Sequence, residues 1–181
     1  VDNCSEDGSC QMIEETFPEV TLIRNNTLYG FAKNNNIGAA QTSAPMLLFL
    51  NPDTEVTPGA LRAMLAVSER HPHCGIFGGR LSDADRQIER SVGAFPTLTS
   101  LAIDRLLAAL SMLRPLLDHH SQRHYLRYDI ERQVAWTTGA YLWIRRDVFD
   151  ALEGWDSEIF MYGEDADLSL IHISEPTRPL H

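Results

Sequence analysis

The sequence predicts an α/β protein built on a mainly parallel central sheet, and three observations carry that prediction. Short apolar runs alternate with helix-forming stretches along most of the chain. The run Met46-Leu47-Leu48-Phe49-Leu50 is continuously apolar, as a strand buried on both faces requires. That run ends in Asn51-Pro52-Asp53, which puts polar groups at the carboxyl edge where open α/β sheets take ligands.

Taken in order, Asp7-Gly8-Ser9 reads as a turn leading into a short helix through Phe17, with Ser9 as its cap. Val20 to Ile23 is a short β-rich run, and Gly30 to Ala40 a helix rich in Ala and Asn. After the Met46–Leu50 strand, Pro58 suits the first turn of a helix continuing to about Arg70. Ile76-Phe77 forms the next strand, ended by Gly78-Gly79. Residues 83–133 break the alternation with an amphipathic helix, Leu98 to Leu117, and a polar stretch holding His119, His120 and His124. The pattern resumes at Val134, with a strand from Ala140 to Ile144 and a helix from Asp147 to Leu152. Residues 170–181 carry Pro176 and Pro179 and continue no helical face. They read as a tail foreign to the natural protein, and the opening Val1-Asp2-Asn3 reads as the end of a strand.

The 181 residues are 44% hydrophobic, enough for one domain with a real core. A net charge of −10 argues against nucleic acid as a partner. An acidic protein still takes a phosphorylated substrate when a divalent cation bridges the two. Cys4, Cys10 and Cys74 make neither an even disulfide framework nor a paired metal spacing, which suits reduced thiols in a cytoplasmic protein. Leu98 to Leu117 comes nearest to a bilayer span, but Asp104, Arg105 and Arg114 interrupt it.

Each cluster of polar residues has two readings. Asn51 and Asp53 put two oxygen-bearing groups at one strand mouth, which suits Mg²⁺ or Mn²⁺ with a substrate phosphate; equally, Asn, Pro and Asp make a turn before a helix cap at Thr57. Gly163-Glu164-Asp165-Ala166-Asp167 supplies a carboxylate for general base work, and Phe160, Met161 and Tyr162 suit a dry wall that strengthens it. Against this, acidic residues in a first helical turn are favoured by the dipole alone. Asp165 and Asp167 point to nearly opposite sides of a helix, so they do not share a role. Asp2, Asn3 and Asp7 suit hydrogen bonds from a nucleobase or ribose, or an Asx-rich turn. The three histidines lack a zinc-spaced partner and read as a solvated loop. Arg145-Arg146 suits a phosphate or a plain helix entry, and the Leu98 to Leu117 helix a membrane surface, an acceptor cover or core packing.

As an ordered set, Val1-Asp2-Asn3-Cys4-Ser5-Glu6-Asp7-Gly8-Ser9, Gly30-Phe31-Ala32 with Asn35-Asn36, Leu50-Asn51-Pro52-Asp53-Thr54, Trp136-Thr137-Thr138-Gly139-Ala140, Arg145-Arg146, Gly154-Trp155-Asp156 and Phe160-Met161-Tyr162-Gly163-Glu164-Asp165-Ala166-Asp167-Leu168 resemble the family 2 glycosyltransferases, in their rhamnosyltransferase-like bacterial branch. The resemblance implies a GT-A fold of three α/β/α layers, occupying residues 1–169 with the family's first strand missing and 83–133 as a helical acceptor-side insertion. It implies inverting transfer from a nucleoside diphosphate sugar, dTDP-rhamnose being the donor of that branch, to a glycan or lipid-linked acceptor in cell-envelope polysaccharide synthesis. Asp2, Asn3, Asn36, Asn51 and Asp53 would then hold the nucleotide sugar, Asp53 with a Mg²⁺ or Mn²⁺ ion. Asp165 would be the base, with Trp136, Trp155, Asp156 and Glu164 on the acceptor side. Asn51 stands where the family has the first Asp of its DxD motif, so the ion would rest mainly on Asp53. The location implied is cytoplasmic, with peripheral association at the inner membrane face. A non-catalytic nucleotide- or partner-binding domain of this fold is the alternative; a sugar nucleotidyltransferase would want a glycine-rich basic phosphate loop, which is not evident.

Overall fold

The computed structural model describes residues 1–89, 91–93, 130–160 and 163–174, with the backbone alone for 170–174. The expected Leu98 to Leu117 helix, the three histidines of the polar stretch, and Met161 and Tyr162 lie outside the described residues. In chain order the described elements are α1 (Ser9–Thr16), α2 (Phe31–Ala39), β1 (Met46–Leu50), α3 (Ala60–Arg70), β2 (Ile76–Gly78), β3 (Val92–Gly93), β4 (Trp136–Thr137), β5 (Tyr141–Arg145), α4 (Arg146–Ala151) and α5 (Glu164–Ser174). The α/β class is as the alternation predicts. Two compact units divide the chain, one of Val1–Phe49 with Trp143–His181, the other of Leu50–Leu142.

In the first unit the core is aromatic. Phe49 of β1 meets Phe149 of α4 at 5.4 Å and Trp155 edge-on at 5.2 Å, and Phe31 of α2 meets Trp155 edge-on at 5.5 Å. Such pairs add about 0.5–1.5 kcal/mol each beyond the area they bury. Leu47 and Phe49 are buried, whereas Leu50 is exposed, so β1 alternates where its apolar run predicts burial on both faces. Tyr141 to Ile144 of β5 are the residues buried continuously. The Val20 to Ile23 run makes no strand. It contributes a single parallel bridge, Asp2 to Arg24, with Asp2 N–H donating to the Ile23 carbonyl at 2.7 Å. Helix α1 takes Gly8, at φ 85°, as its cap residue, while Ser9 gives both its N–H and its hydroxyl to Asp7 Oδ1. Helix α5 continues to Ser174, past the break expected at residue 170.

The second unit holds α3, β2 and an antiparallel β3–β4 pair in which Val92 faces Thr137 and Gly93 faces Trp136. Helix α3 begins two residues later than Pro58 suggests. Thr57-Pro58-Gly59-Ala60 is instead a turn closed by Ala60 N–H on the Thr57 carbonyl at 3.1 Å, with Gly59 at φ 87° as a type II turn requires. A three-stranded sheet has the order β1-β5-β2, and β5 crosses the division between units. Asn51 N–H donates to the Ala140 carbonyl at 3.0 Å, and Arg146 N–H to the Pro45 carbonyl at 2.9 Å. So β5 begins where β1 ends, and the two run antiparallel. This corrects the expectation of a mainly parallel sheet for these strands. The chain leaves β1 at Asn51 and returns at Ala140 to the same edge, with no crossover to carry it back to the start of β1.

Candidate functional site

In the second unit the Asn-Pro-Asp motif is a turn, as its composition favours. Thr54 N–H closes on the Asn51 carbonyl at 3.1 Å, with Pro52 fixing the second position. The Ala140 carbonyl holds this turn, receiving Asn51 N–H at 3.0 Å and the Thr54 hydroxyl at 3.5 Å. Asn51 is half-buried and Asp53 exposed. The turn and the ligand-bearing reading coexist, because the backbone bonds leave the Asp53 side chain at the surface. Gly79 N–H reaches the Tyr141 carbonyl at 3.5 Å, so the carboxyl ends of β1 and β2 and the start of β5 share one edge. A Cβ on Gly78 would collide with Thr137, and one on Gly79 with the Tyr141 ring. Trp136, half-buried, lies in β4.

In the first unit, several expected binding residues act as clamps on the backbone. Asn3 Nδ2 donates to the Tyr29 carbonyl at 3.0 Å and its Oδ1 accepts Tyr29 N–H at 3.0 Å. Asn36 repeats the device: Nδ2 donates to the Trp155 carbonyl at 2.8 Å and to Ser157 Oγ at 3.2 Å, while Oδ1 accepts Trp155 N–H at 2.9 Å. With both ends of each amide engaged, the fold occupies Asn3 and Asn36 as rungs. Trp155 is 2% exposed and belongs to the core, not to an acceptor surface. Asp156 is exposed and accepts Glu158 N–H in a local turn. Arg146 gives Nη2 to the Ala39 and Thr42 carbonyls at 3.1 and 2.7 Å, neutralising the carboxyl end of α2. Arg146 also opens α4, the helix entry that is one reading of the Arg145-Arg146 pair. Asp2 accepts Ser5 N–H at 3.2 Å, and hydrogen bonds led by the Ser5 side chain hold its carboxyl below the ordinary value.

The acidic helix start is in the same unit. Gly163 has φ 102°, and its carbonyl accepts Asp167 N–H at 2.9 Å. Asp165 is half-buried and its Oδ1 accepts Ala166 N–H at 2.8 Å. Glu164 is buried on the stripe that continues through Leu168, and its Oε2 has no hydrogen-bond partner among the described residues. The loop before it rests on α2: Phe31 N–H donates to the Phe160 carbonyl at 3.2 Å, and a Cβ on Gly30 would run into that carbonyl. Phe160 itself is 64% exposed, so its ring does not supply the dry wall expected beside Asp165.

Among the described residues no group of three or more His, Cys, Asp or Glu side chains forms a cation cage. One exposed carboxylate with a neighbouring amide oxygen fits a hard cation that arrives on a diphosphate, since Mg²⁺ keeps few protein ligands and binds substrate phosphates. No helix among the described residues is long and apolar enough to cross a membrane.

An Asn-x-Asp turn at the strand-end edge of an α/β domain agrees with the GT-A nucleotide-sugar transferase class, which the family of this chain implies. A family model described as glycosyl transferase family 2 matches residues 1–152, and the chain belongs to that family. The match ends before Trp155, Asp156, Glu164 and Asp165. The chain is 30% identical over 178 aligned positions to a protein of Mycobacterium tuberculosis named N-acetylglucosaminyl-diphospho-decaprenol L-rhamnosyltransferase, covering 92% of this chain and 57% of that one. It is 26% identical to rhamnosyltransferase WbbL of Escherichia coli K12, covering 79% of this chain and 54% of WbbL. A shorter stretch of 73 residues is 37% identical to an uncharacterized glycosyltransferase of Haemophilus influenzae, covering 40% of this chain and 24% of that protein. The chain thus spans a little over half the length of the rhamnosyltransferases it matches. Enzymes of this family commonly use a divalent metal.

Proposed function

We propose that this chain serves inverting transfer of a sugar from a nucleoside diphosphate, with dTDP-rhamnose the first donor to try, to a glycan or lipid-linked acceptor in cell-surface polysaccharide synthesis. The observation that carries the reading is the exposed Asp53 carboxylate on a turn fixed to the start of β5, at the edge where α/β sheets take ligands. A Mg²⁺ or Mn²⁺ ion, when bound with the diphosphate, would supply charge compensation for the leaving group. Asp53 would supply the carboxylate for that ion and Asn51 an amide oxygen, and Asp2 would contact the nucleobase. Asp165 takes the proton of the attacking hydroxyl on Oδ2, its Oδ1 being held by Ala166 N–H. The acceptor oxygen forms its bond to the anomeric carbon as the bond to the diphosphate breaks on the opposite face. The diphosphate departs with the electron pair and the configuration inverts in one displacement. Lipid-linked acceptors would draw the protein to the inner face of the membrane as a peripheral partner.

A thermal-shift panel of dTDP, UDP and GDP with Mn²⁺ tests the donor half, because a ligand of the folded state raises its melting temperature. One nucleotide should shift the melt, and Asp53→Ala should abolish that shift. Asp165→Asn should then keep nucleotide binding and lose roughly 10²–10⁴-fold in transfer. A panel that moves nothing, or undiminished transfer by Asp165→Asn, overturns the reading.

A further inference from the structure

Most described arginines of this acidic chain are taken. Arg24 pairs with Glu14 at 2.7 Å, Arg70 with Glu131, and Arg146 with Asp150 at 3.6 Å. Arg132 and Arg145 are engaged too. The side chains of Arg62, Arg80 and Arg86 are exposed and have no hydrogen bond or ion pair among the described residues. Arg62 lies on α3, and Arg86 in a turn closed by its own N–H on the Asp83 carbonyl. Arg80 is different, because it follows the end of β2 and stands at the edge that carries the Asp53 turn.

The backbone on both sides of Arg80 is fixed. Gly79 N–H donates to the Tyr141 carbonyl at 3.5 Å, and the Gly79 carbonyl accepts the Ser91 hydroxyl at 3.2 Å. The Leu81 carbonyl accepts Glu89 N–H at 3.0 Å, and Ser82 bridges Ile88 antiparallel. Residues 79–82 therefore run extended, so successive side chains leave on opposite faces. A Cβ on Gly79 would meet the Tyr141 ring, which puts Arg80 on the other face. Residues opposite each other in an antiparallel pair share a face. Asn51, opposite Ala140, is thus also on the face away from the Tyr141 ring. Gly79 is level with Tyr141 and Arg80 is one step further, so Arg80 and Asn51 flank Ala140 with their backbones roughly 10 Å apart, two strand spacings. All of this lies in one compact unit.

From these observations, we propose that the exposed Arg80 guanidinium binds the diphosphate of the nucleotide donor, across the start of β5 from the Asn51-Pro52-Asp53 turn. This deepens the proposed function and rests on it. The ligand chemistry follows from the charges at the edge. A divalent cation cancels the charge of a sugar-linked diphosphate, and the Asp53 carboxylate then leaves the assembly negative. The charge that arrives as the sugar departs makes it more so. A fixed cation offsets that charge, and a guanidinium fork matches two phosphate oxygens with parallel hydrogen bonds. Arg80 stays protonated throughout and moves no proton in the transfer.

Arg80→Gln removes the charge, and Arg62→Gln removes an equal charge from α3 as the control. Calorimetric titration with dTDP, UDP and GDP, each with Mn²⁺, identifies the nucleotide the parent chain takes. Arg80→Gln should bind it roughly 10-fold more weakly, the lower end for hydrogen bonds to a charged group at a site open to water. Arg80→Lys, which keeps the charge without the fork, should fall between that variant and the parent. Inorganic pyrophosphate with Mn²⁺ should lose affinity to the same degree, and the matching nucleoside without phosphates should not. Unliganded Arg80→Gln should melt within about 2 °C of the parent, because an exposed side chain without a partner adds little stability. Nucleotide affinity of Arg80→Gln within about twofold of the parent overturns the inference and leaves the proposed function standing. So does an equal loss in Arg62→Gln, which would make net charge the cause, or an equal loss with the nucleoside, which would put the guanidinium on the base or ribose. A parent chain that binds none of the three nucleotides overturns both.

Discussion

Replacing Asn36 with Ala separates a clamp from a ligand contact. Asn36 joins α2 to the backbone of Trp155, 119 residues away in sequence, through one bond to the carbonyl at 2.8 Å and one from the N–H at 2.9 Å. Trp155 is 2% exposed, so water does not replace the lost amide freely. Two backbone groups left unpaired at about 1–3 kcal/mol each, with partial relaxation, put the cost at about 3 kcal/mol. For a domain of this size that lowers the melting temperature by roughly 6–12 °C. The assay is a thermal melt followed by intrinsic tryptophan fluorescence, with nucleotide affinity measured well below the transition. Asn36→Asp should also destabilise, because it keeps the acceptor for Trp155 N–H but turns a carboxylate oxygen on the Trp155 carbonyl. An Asn36→Ala protein that melts within about 1 °C of the parent, far under that cost, yet loses nucleotide binding would refute the clamp and restore the donor-binding role.

Two further outcomes follow from the same unit. Gly154 has φ 81°, and a Cβ there would stand 2.7 Å from Asn36 Oδ1, so Gly154→Ala should cost about 1–3 kcal/mol in a urea melt. The cost should shrink in an Asn36→Ala background, which removes the obstructing atom; full additivity would show that the two sites are independent. Asp2 is held below its ordinary value of 3.8 by hydrogen bonds led by Ser5, so its ionised form is the one folding favours. Its contribution is complete above that value and is lost as pH falls below 3.8 through the folded midpoint. A carboxyl NMR titration should find that midpoint below 3.8 and Ser5→Ala should raise it; a midpoint above 3.8 in the parent contradicts the bonding described.

The apolar run at Met46 and the β5 segment were legible because strand burial writes itself into consecutive residues. The direction of β5 was not, since antiparallel pairing here depends on where the chain returns after residues 51–140. Asp53 was legible as a strand-end carboxylate from spacing alone. The asparagines were not: an amide that mimics a backbone rung and one that holds a ribose have the same sequence, and only the position of a distant peptide group separates them. Arg146 kept two readings, a phosphate or a helix entry, for a related reason, because a cation serves a phosphate and a helix carboxyl end equally well. Gly78-Gly79 marked where the Tyr141 ring needed room, but only as punctuation after a strand.

The Asn36–Trp155 clamp also sets an order of events during synthesis. The first unit is assembled from the two ends of the described chain, and its clamp cannot close until the later partner has left the ribosome. At about 5–20 residues per second, the 119 residues between them take roughly 6–24 s to translate. Throughout that interval α2 has been made but its partner has not, while residues 50–142 emerge in sequence as a compact unit of their own. The nascent protein therefore carries the unpaired Phe31 and Phe49 faces for seconds, the period in which a chaperone has its opening.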